Sequence, residues 1–390
     1  MAFKDISMAE IMRTPLYAEH VRLGARIVPF AGWEMPLLYR GIISEHLYTR
    51  EKASIFDICH MGEFEVSGPA AEADLERLLT QSVAAIPEGG CGYGYLLNED
   101  GGVLDDLICY RFDKLTAGRF DPSSKLSAGG LSGEKFWLVV NAGTAASDAQ
   151  WIKSHLSAKT VFRDLSSATA KLDIQGPLAR EEIEEALKTK LPELEYYHFC
   201  LIEIDGVKCV LSRTGYTGEF GYELYLPSGE AVKFWRKFVE QSKILPAGLG
   251  ARDTLRVEMG YPLYGHELSR ERTPAGAAGG RKFIDLSKSF IGREAVLRDI
   301  ENPSARALAG LRLEGRMAAR ADDVILDGER EIGQVTSGLF APSLNVAVAL
   351  GCVDRQFASI GRKLNVRSRG KSLPAEVVKL PFYKQGTAKR

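Results

Sequence analysis

The chain has no C-x-x-C pair among its six cysteines, Cys59, Cys91, Cys109, Cys200, Cys209 and Cys352. All lie in or near apolar, strand-like stretches, so reduced, buried thiols are expected rather than a zinc site or a disulfide framework. The six histidines are scattered, with no H-E-x-x-H or other ligand spacing, and no metal is expected. No apolar run approaches the ~20 residues of a membrane span. The opening MAFKDISMAEIM carries Asp5 and Glu10 where a signal peptide would be basic and then apolar. A cytoplasmic location is the expectation. An excess of one charge is also missing: 50 Lys plus Arg stand against 51 Asp plus Glu, a net charge of −1. That balance excludes a global attraction to nucleic acid or to an anionic membrane. No Walker loop, G-x-S-x-G elbow or nucleophile–base pair is present, so covalent catalysis by the protein is not indicated.

What is present suits a globular enzyme. Hydrophobic residues make up 45% and charged residues 26% of the 390 positions, enough for a sizeable core and, at roughly 100–200 residues each, two or three domains. Thr14-Pro15 predicts a helix start, with Thr as cap and Pro at the first helical position. Further helices are expected over 43–53, 70–79, 146–155, 178–189 and 230–241. The runs 93–97 and 103–112 flank the turn residues NEDGG and predict a hairpin. Residues 113–134, polar and dense in Gly and Ser, read as a surface loop. From about Ala305 the pattern becomes short strands between Gly and Pro, which predicts a separate all-β domain.

Three stretches could carry chemistry. In VLDDLICY, alternation puts Leu104, Asp106, Ile108 and Tyr110 on one face and Val103, Asp105, Leu107, Cys109 and Arg111 on the other. A carboxylate among apolar side chains is costly without a partner; Asp105 has the charged end near Arg111, whereas Asp106 has no obvious partner. A solvated hairpin end is the bland alternative. In RTGYTGEFGYELYLP, Gly215, Gly218 and Gly221 mark a turn between strands, and Tyr216, Tyr222 and Glu223 could line a pocket for a flat, hydrogen-bonding ring. In GLGARDTLRVEMGYPLYG, Arg252 and Arg256 lie at helical spacing; an Arg fork near a helix start can clamp a carboxylate, or simply form an intrahelical or interdomain salt bridge.

Read together, these stretches resemble the glycine-cleavage T-protein family of aminomethyltransferases. The likeness runs in family order through TPLYAEHVRLGARIVPFAGWEMPL from Thr14, IFDICHMGEFEVSGP from Ile55, GGVLDDLICY from Gly101 and LDIQGP from Leu172. It continues with SRTGYTGEFGYEL from Ser212, PAGLGARDTLRVEMGYPLYGHEL from Pro246, FIGREA from Phe290 and GQVTSGLFAPSL from Gly333. The resemblance implies an α+β, three-domain, cloverleaf-like protein with a ferredoxin-like portion and a C-terminal β-barrel. The implied boundaries are 14–285 for a folate-binding region of two interleaved domains and 305–390 for the barrel.

It also implies the reaction. Tetrahydrofolate, as co-substrate, takes the one-carbon unit of an aminomethyl group on the lipoyl arm of H-protein, with release of ammonia. Asp106, second Asp of the family's GG-x-x-DD motif, would be the key acid, staying ionised against developing positive charge. Glu223 would hydrogen-bond the pterin ring, and Arg252 would meet the p-aminobenzoyl-glutamate side. Tyr93, Tyr110, Tyr197, Tyr216, Tyr261, Met61 and Asn141 match or lie near family pocket positions. Lipoylated H-protein would be the partner of a monomer or weak dimer. One segment departs from the family pattern: residues 275–281, AGAAGGR, stand where a Glu and a folate-walling Trp are usual. Two related readings compete. One is a folate-dependent demethylase of the same superfamily, acting on a small methylated compound. The other is a non-catalytic folate-binding relative that assists iron–sulfur assembly, whose K-G-C-[YF]-x-G-Q-E motif is not found here.

Overall fold

A computed structural model describes residues 11–113, 121–122, 134–277, 280–302 and 306–390. The polar loop expected over 113–134 falls mostly outside the described residues.

Two large sheets and a barrel organise the chain. A six-stranded sheet runs in the order Phe199–Ile204, Val207–Ser212, Gly221–Pro227, Thr169–Gln175, Ser54–Asp57, Leu245–Pro246. It is antiparallel except for its last pair. The chain leaves this sheet after Asp57 and builds an antiparallel five-stranded sheet in the order Cys91–Leu97, Val103–Phe112, Glu134–Val140, Gly62–Gly68, Val161–Asp164. It then re-enters the first sheet at Thr169. Each sheet is backed by amphipathic helices. Helix Ala231–Gln241 places Phe234, Trp235 and Phe238 at spacings of one, three and four on the buried side, each contributing roughly 1.5–3 kcal/mol by burial. The two sheets meet through a shared apolar cluster that includes Tyr110, Trp137, Val139, Phe199, Val210 and Tyr225.

The C-terminal part of the chain closes on itself. Six strands between Arg306 and Val378 form an antiparallel barrel filled by small and branched side chains such as Ala309, Leu311, Val335, Ala349 and Val366. Closure leaves no sheet edge exposed. The α+β fold with a C-terminal barrel is therefore as the resemblance implied. Helix Leu249–Glu258 ties the barrel to the rest: Arg256, almost fully buried, bonds Glu267 at 2.8 Å and the barrel's Ser337 at 2.7 Å. Beyond the barrel, the tail returns to the six-stranded sheet, where Arg213 holds the carbonyl of Ala388 at 3.0 Å and Thr387 bonds Glu219 at 2.6 Å.

Two local expectations fail for identifiable reasons. Thr14 does not cap a helix; its hydroxyl donates to the buried carboxylate of Asp57 at 2.6 Å, and the helix starts later, at Tyr17. Leu104 does not share a face with Asp106. The register jumps from Leu96↔Asp105 to Leu97↔Val103, so Leu104 is the extra residue of a bulge and packs with Leu107 and Cys109. Among the described residues no helix is long and apolar enough to cross a membrane, and no cluster of three His, Cys, Asp or Glu is suited to a metal ion.

Candidate active site

A cavity of about 1970 Å³ lies where the two sheets, helix Leu249–Glu258, the barrel and the C-terminal tail converge. Of the site residues the resemblance implied, all but Tyr110 line it: Met61, Tyr93, Asp106, Asn141, Tyr197, Tyr216, Glu223, Arg252 and Tyr261. Tyr110 stands one layer behind. It is fully buried, pairs its hydroxyl with that of Tyr225 at 2.8 Å, and lies 3.5 Å from Glu223 Oε2.

Asp106 sits on the strand Val103–Phe112, just past the bulge that turns it to the cavity. Tyr93, one strand over, donates its hydroxyl to Asp106 Oδ2 at 2.9 Å, and Asn141 Nδ2 donates to Oδ1 at 3.0 Å. Burial, with the neighbouring Asp105 charge, still pushes its pKa up to about 7. Asp105 does not reach Arg111. It turns to the other side of the sheet and accepts the Asn141 amide and side chain at 2.8 Å each. Burial and then Asp148 hold its pKa well above the usual carboxylate range. Arg111 instead pairs with Glu72 and Glu134. Asn141 thus fixes both adjacent carboxyls, and this is why it occupies the wall.

Glu223 faces Asp173 across neighbouring strands, in register with it. Its Oε2 accepts the Thr214 hydroxyl at 2.6 Å, and its Oε1 is 3.5 Å from Lys171 Nζ. The turn before it needs glycine: Gly218 has φ +79°, and a Cβ there would stand 2.4 Å from Met259 Sδ. Tyr222, the neighbour of Glu223, points the opposite way into the core of the six-stranded sheet and does not line the cavity, as strand alternation requires. Arg252 pairs with buried Asp173 at 2.6 Å and lies over the Tyr216 ring, 5.0 Å from its centroid. Tyr216 in turn stacks on Tyr261 with ring centroids 5.8 Å apart and donates to the carbonyl of Pro262. The bland alternative for Arg252 is therefore half realised: an ion pair exists, and the guanidinium still lines the cavity.

Three residues not anticipated, with Phe283 beside the atypical segment, also shape the site. Lys171 and His60 line the wall, and Asp173 backs Arg252. Phe283 lies against Tyr93, ring centroids 4.6 Å apart, and lines the cavity just after the segment that departs from the family pattern; residues 278–279 of that segment lie outside the described ones. Burial lowers the His60 pKa to about 4, which keeps its imidazole neutral. Lys171 and Asp173 had a sequence signal: they alternate on one face of the fully buried strand Thr169–Gln175, the same pattern that singles out Asp106.

Comparison with known proteins fits this geometry. A family model described as GCVT N-terminal domain matches residues 16–116 and 126–288, and one described as glycine cleavage T-protein C-terminal barrel domain matches 306–384. The chain is 40% identical over 383 residues to an aminomethyltransferase of Desulfitobacterium hafniense, covering 97% of this chain and 100% of that one. It is 41% identical over 383 residues to an aminomethyltransferase of Moorella thermoacetica, covering 97% and 99%. The crystal structure of glycine cleavage system aminomethyltransferase T from Bartonella henselae superimposes with a TM-score of 0.84 at 34% identity, covering 97% of this chain and 99% of that one. Fold, order of motifs and full-length identity agree: the chain belongs to the glycine cleavage T-protein family.

Proposed function

We propose that this chain is an aminomethyltransferase that moves the one-carbon unit from the aminomethylated lipoyl arm of H-protein to tetrahydrofolate, releasing ammonia. The observation that carries the reading is Asp106: a cavity carboxylate held by two neutral donors, with no cation paired to it among the described residues. Such a group favours a positively charged partner, and positive charge is what develops as an aminomethyl carbon is handed from sulfur to nitrogen.

The residues present suit a folate. Glu223 Oε1 is free of neutral donors and can accept from ring N–H groups. Tyr93, Tyr197, Tyr216 and Tyr261 give flat apolar walls with polar tips, and Met61 and Phe283 add apolar surface. Arg252 is pre-aimed by Asp173 and suits the carboxylate-bearing end. Tetrahydrofolate supplies the nucleophilic nitrogen; the chain binds and orients it. Tyr93 and Asn141 hold Asp106 in one rotamer, so the charge needs no rearrangement during transfer. Tyr110 acts behind Glu223, keeping its Oε2 occupied. The same reading divides the chain into an interleaved folate-binding region, 14–285, and a barrel, 305–390.

A folate-dependent demethylase is the weaker reading, since the full-length relatives at 40–41% identity are aminomethyltransferases. The test is formation of methylenetetrahydrofolate from aminomethylated H-protein plus tetrahydrofolate. Turnover supports the transferase. Tetrahydrofolate binding without turnover, together with demethylation of a small methylated amine, moves the assignment to the demethylase.

A further inference from the structure

Lys171 is a buried lysine with one distant carboxylate partner and no close oxygen acceptor among the described residues. It is 1% exposed and lines the cavity. Its Nζ stands 3.5 Å from Glu223 Oε1, 3.9 Å from Met61 Sδ and 5.0 Å from the centroid of the Tyr225 ring. An ammonium has three donors, and none of these contacts is a short N–H···O bond. A buried ammonium left so poorly bonded is costly, so an acceptor entering the cavity beside it is favoured. Glu223 is lopsided in a matching way. Its Oε2 is taken by Thr214 at 2.6 Å and flanked by the Tyr225 and Tyr110 hydroxyls, while its Oε1 has only Lys171. A donor and an acceptor therefore stand side by side on one wall.

The pyrimidine edge of a folate pterin presents the complementary order: the 2-amino and N3–H donors, then the carbonyl O4 acceptor. We propose that Lys171 donates to pterin O4 while Glu223 Oε1 accepts from the ring donor beside it, making Lys171 a specificity residue for 4-oxo over 4-amino pterins. This rests on the tetrahydrofolate reading above and goes beyond it, because Glu223 alone does not read position 4. A 4-amino group would turn a donor toward the ammonium and leave both unpaired, and sites built to satisfy a hydrogen bond reject such analogues strongly.

The experiment measures Kd for tetrahydrofolate and for its 4-amino analogue, tetrahydroaminopterin, with the native chain, Lys171→Met and Lys171→Gln. Thermal melts and circular dichroism check each fold. Loss of one hydrogen bond to a charged group weakens tetrahydrofolate about ten- to a hundredfold in Lys171→Met. The 4-amino analogue is expected to bind Lys171→Met as well as the native chain or better, so the preference collapses. Lys171→Gln keeps a neutral donor and recovers part of it. Equal weakening of both ligands, or an unchanged preference, overturns the proposal and leaves the tetrahydrofolate reading standing. If Lys171→Met does not fold, an intermediate preference in Lys171→Gln supports the assignment and a native one overturns it. A native chain that binds neither ligand overturns both.

Discussion

Replacing Asp106 by Asn removes a charge and little else. Asp106 Oδ1 accepts from Asn141 Nδ2 at 3.0 Å, and an Asn carbonyl oxygen can keep that bond. The Tyr93 hydroxyl, now 2.9 Å from Oδ2 as a donor, can rotate and accept from the new amide nitrogen. Shape and both hydrogen bonds survive, so tetrahydrofolate binding should change little. What goes is the attraction between a carboxylate and developing positive charge, about 4 kcal/mol for unit charges ~4 Å apart at an effective dielectric of ~20. Losses of roughly 2.7–4 kcal/mol, or 10²–10³ in kcat, accompany removal of comparable transition-state contacts. The assay is methylenetetrahydrofolate formation under saturating tetrahydrofolate and aminomethylated H-protein. The pH dependence gives a second reading. With the Asp106 pKa at about 7 and the ionised form as the active one, kcat/KM of the native enzyme rises with pH through an inflection near 7. That limb disappears in the variant. For stability the sign is opposite to that of a salt-bridged carboxylate. The folded pKa is raised, so folding favours the protonated group, and stability falls as pH climbs from the unfolded value, about 3.9, to about 7. Asp106→Asn should therefore melt higher than the native chain at pH 8. Turnover within threefold of native, with tetrahydrofolate bound normally, would refute the role given to Asp106.

Other substitutions separate binding from architecture. Arg252→Met should abolish measurable tetrahydrofolate affinity and also lower stability by about 3–5 kcal/mol, because Asp173, buried and 2.6 Å from the guanidinium, is left without its cation; Arg252→Met with Asp173→Leu should recover the urea midpoint but not the binding. Tyr110→Phe should cost about 1 kcal/mol of stability through its 2.8 Å bond to Tyr225, with kcat and KM for tetrahydrofolate within a few-fold of native; a hundredfold loss would put the hydroxyl at the substrate. Asp57, with burial opposing, is lowered to about 2 by bonds from His20, Thr14 and the Cys59 amide. Its stabilisation is thus present above about pH 4 and lost as pH falls toward 2, and urea midpoints of Asp57→Asn should be flatter over that window.

Element positions were largely readable from the chain because periodicity and capping are local. The helices expected over 43–53, 146–155 and 230–241 appear as Ile42–Glu51, Ala145–His155 and Ala231–Gln241. What failed was any inference needing a partner from elsewhere. Alternation alone put Leu104 beside Asp106; the bulge depends on how Leu96 and Leu97 pair across the hairpin, which no run of one strand encodes. Asp105 was matched to Arg111 by nearness in sequence, whereas its partners, Asn141 and Asp148, arrive from the end of another strand and the helix after it. Thr14 resembled a cap because Thr-Pro is a common helix opening, but its hydroxyl serves Asp57, 43 residues away. Lys171 and Asp173 were legible by the same rule that exposed Asp106.

The charges of the cavity support the role proposed for the Asp106 carboxylate. Arg252 is matched by Asp173, and Lys171 faces Glu223, so two cations are already answered by two carboxylates. Asp106 has only the dipoles of Tyr93 and Asn141, and its neighbour Asp105 adds repulsion. A cation placed against Asp106 would both ionise it fully and relieve the imbalance, whereas one placed against Glu223 would compete with Lys171. The position of the unmatched carboxylate therefore selects where positive charge is best accommodated. It lies on the five-stranded sheet, while Glu223 belongs to the six-stranded sheet and Arg252, paired with Asp173, to the helix Leu249–Glu258. On the proposed reading, a substrate held by Glu223 and Arg252 presents its reacting end to Asp106 on the other sheet, and the interleaving of the two sheets is what brings these residues to one cavity.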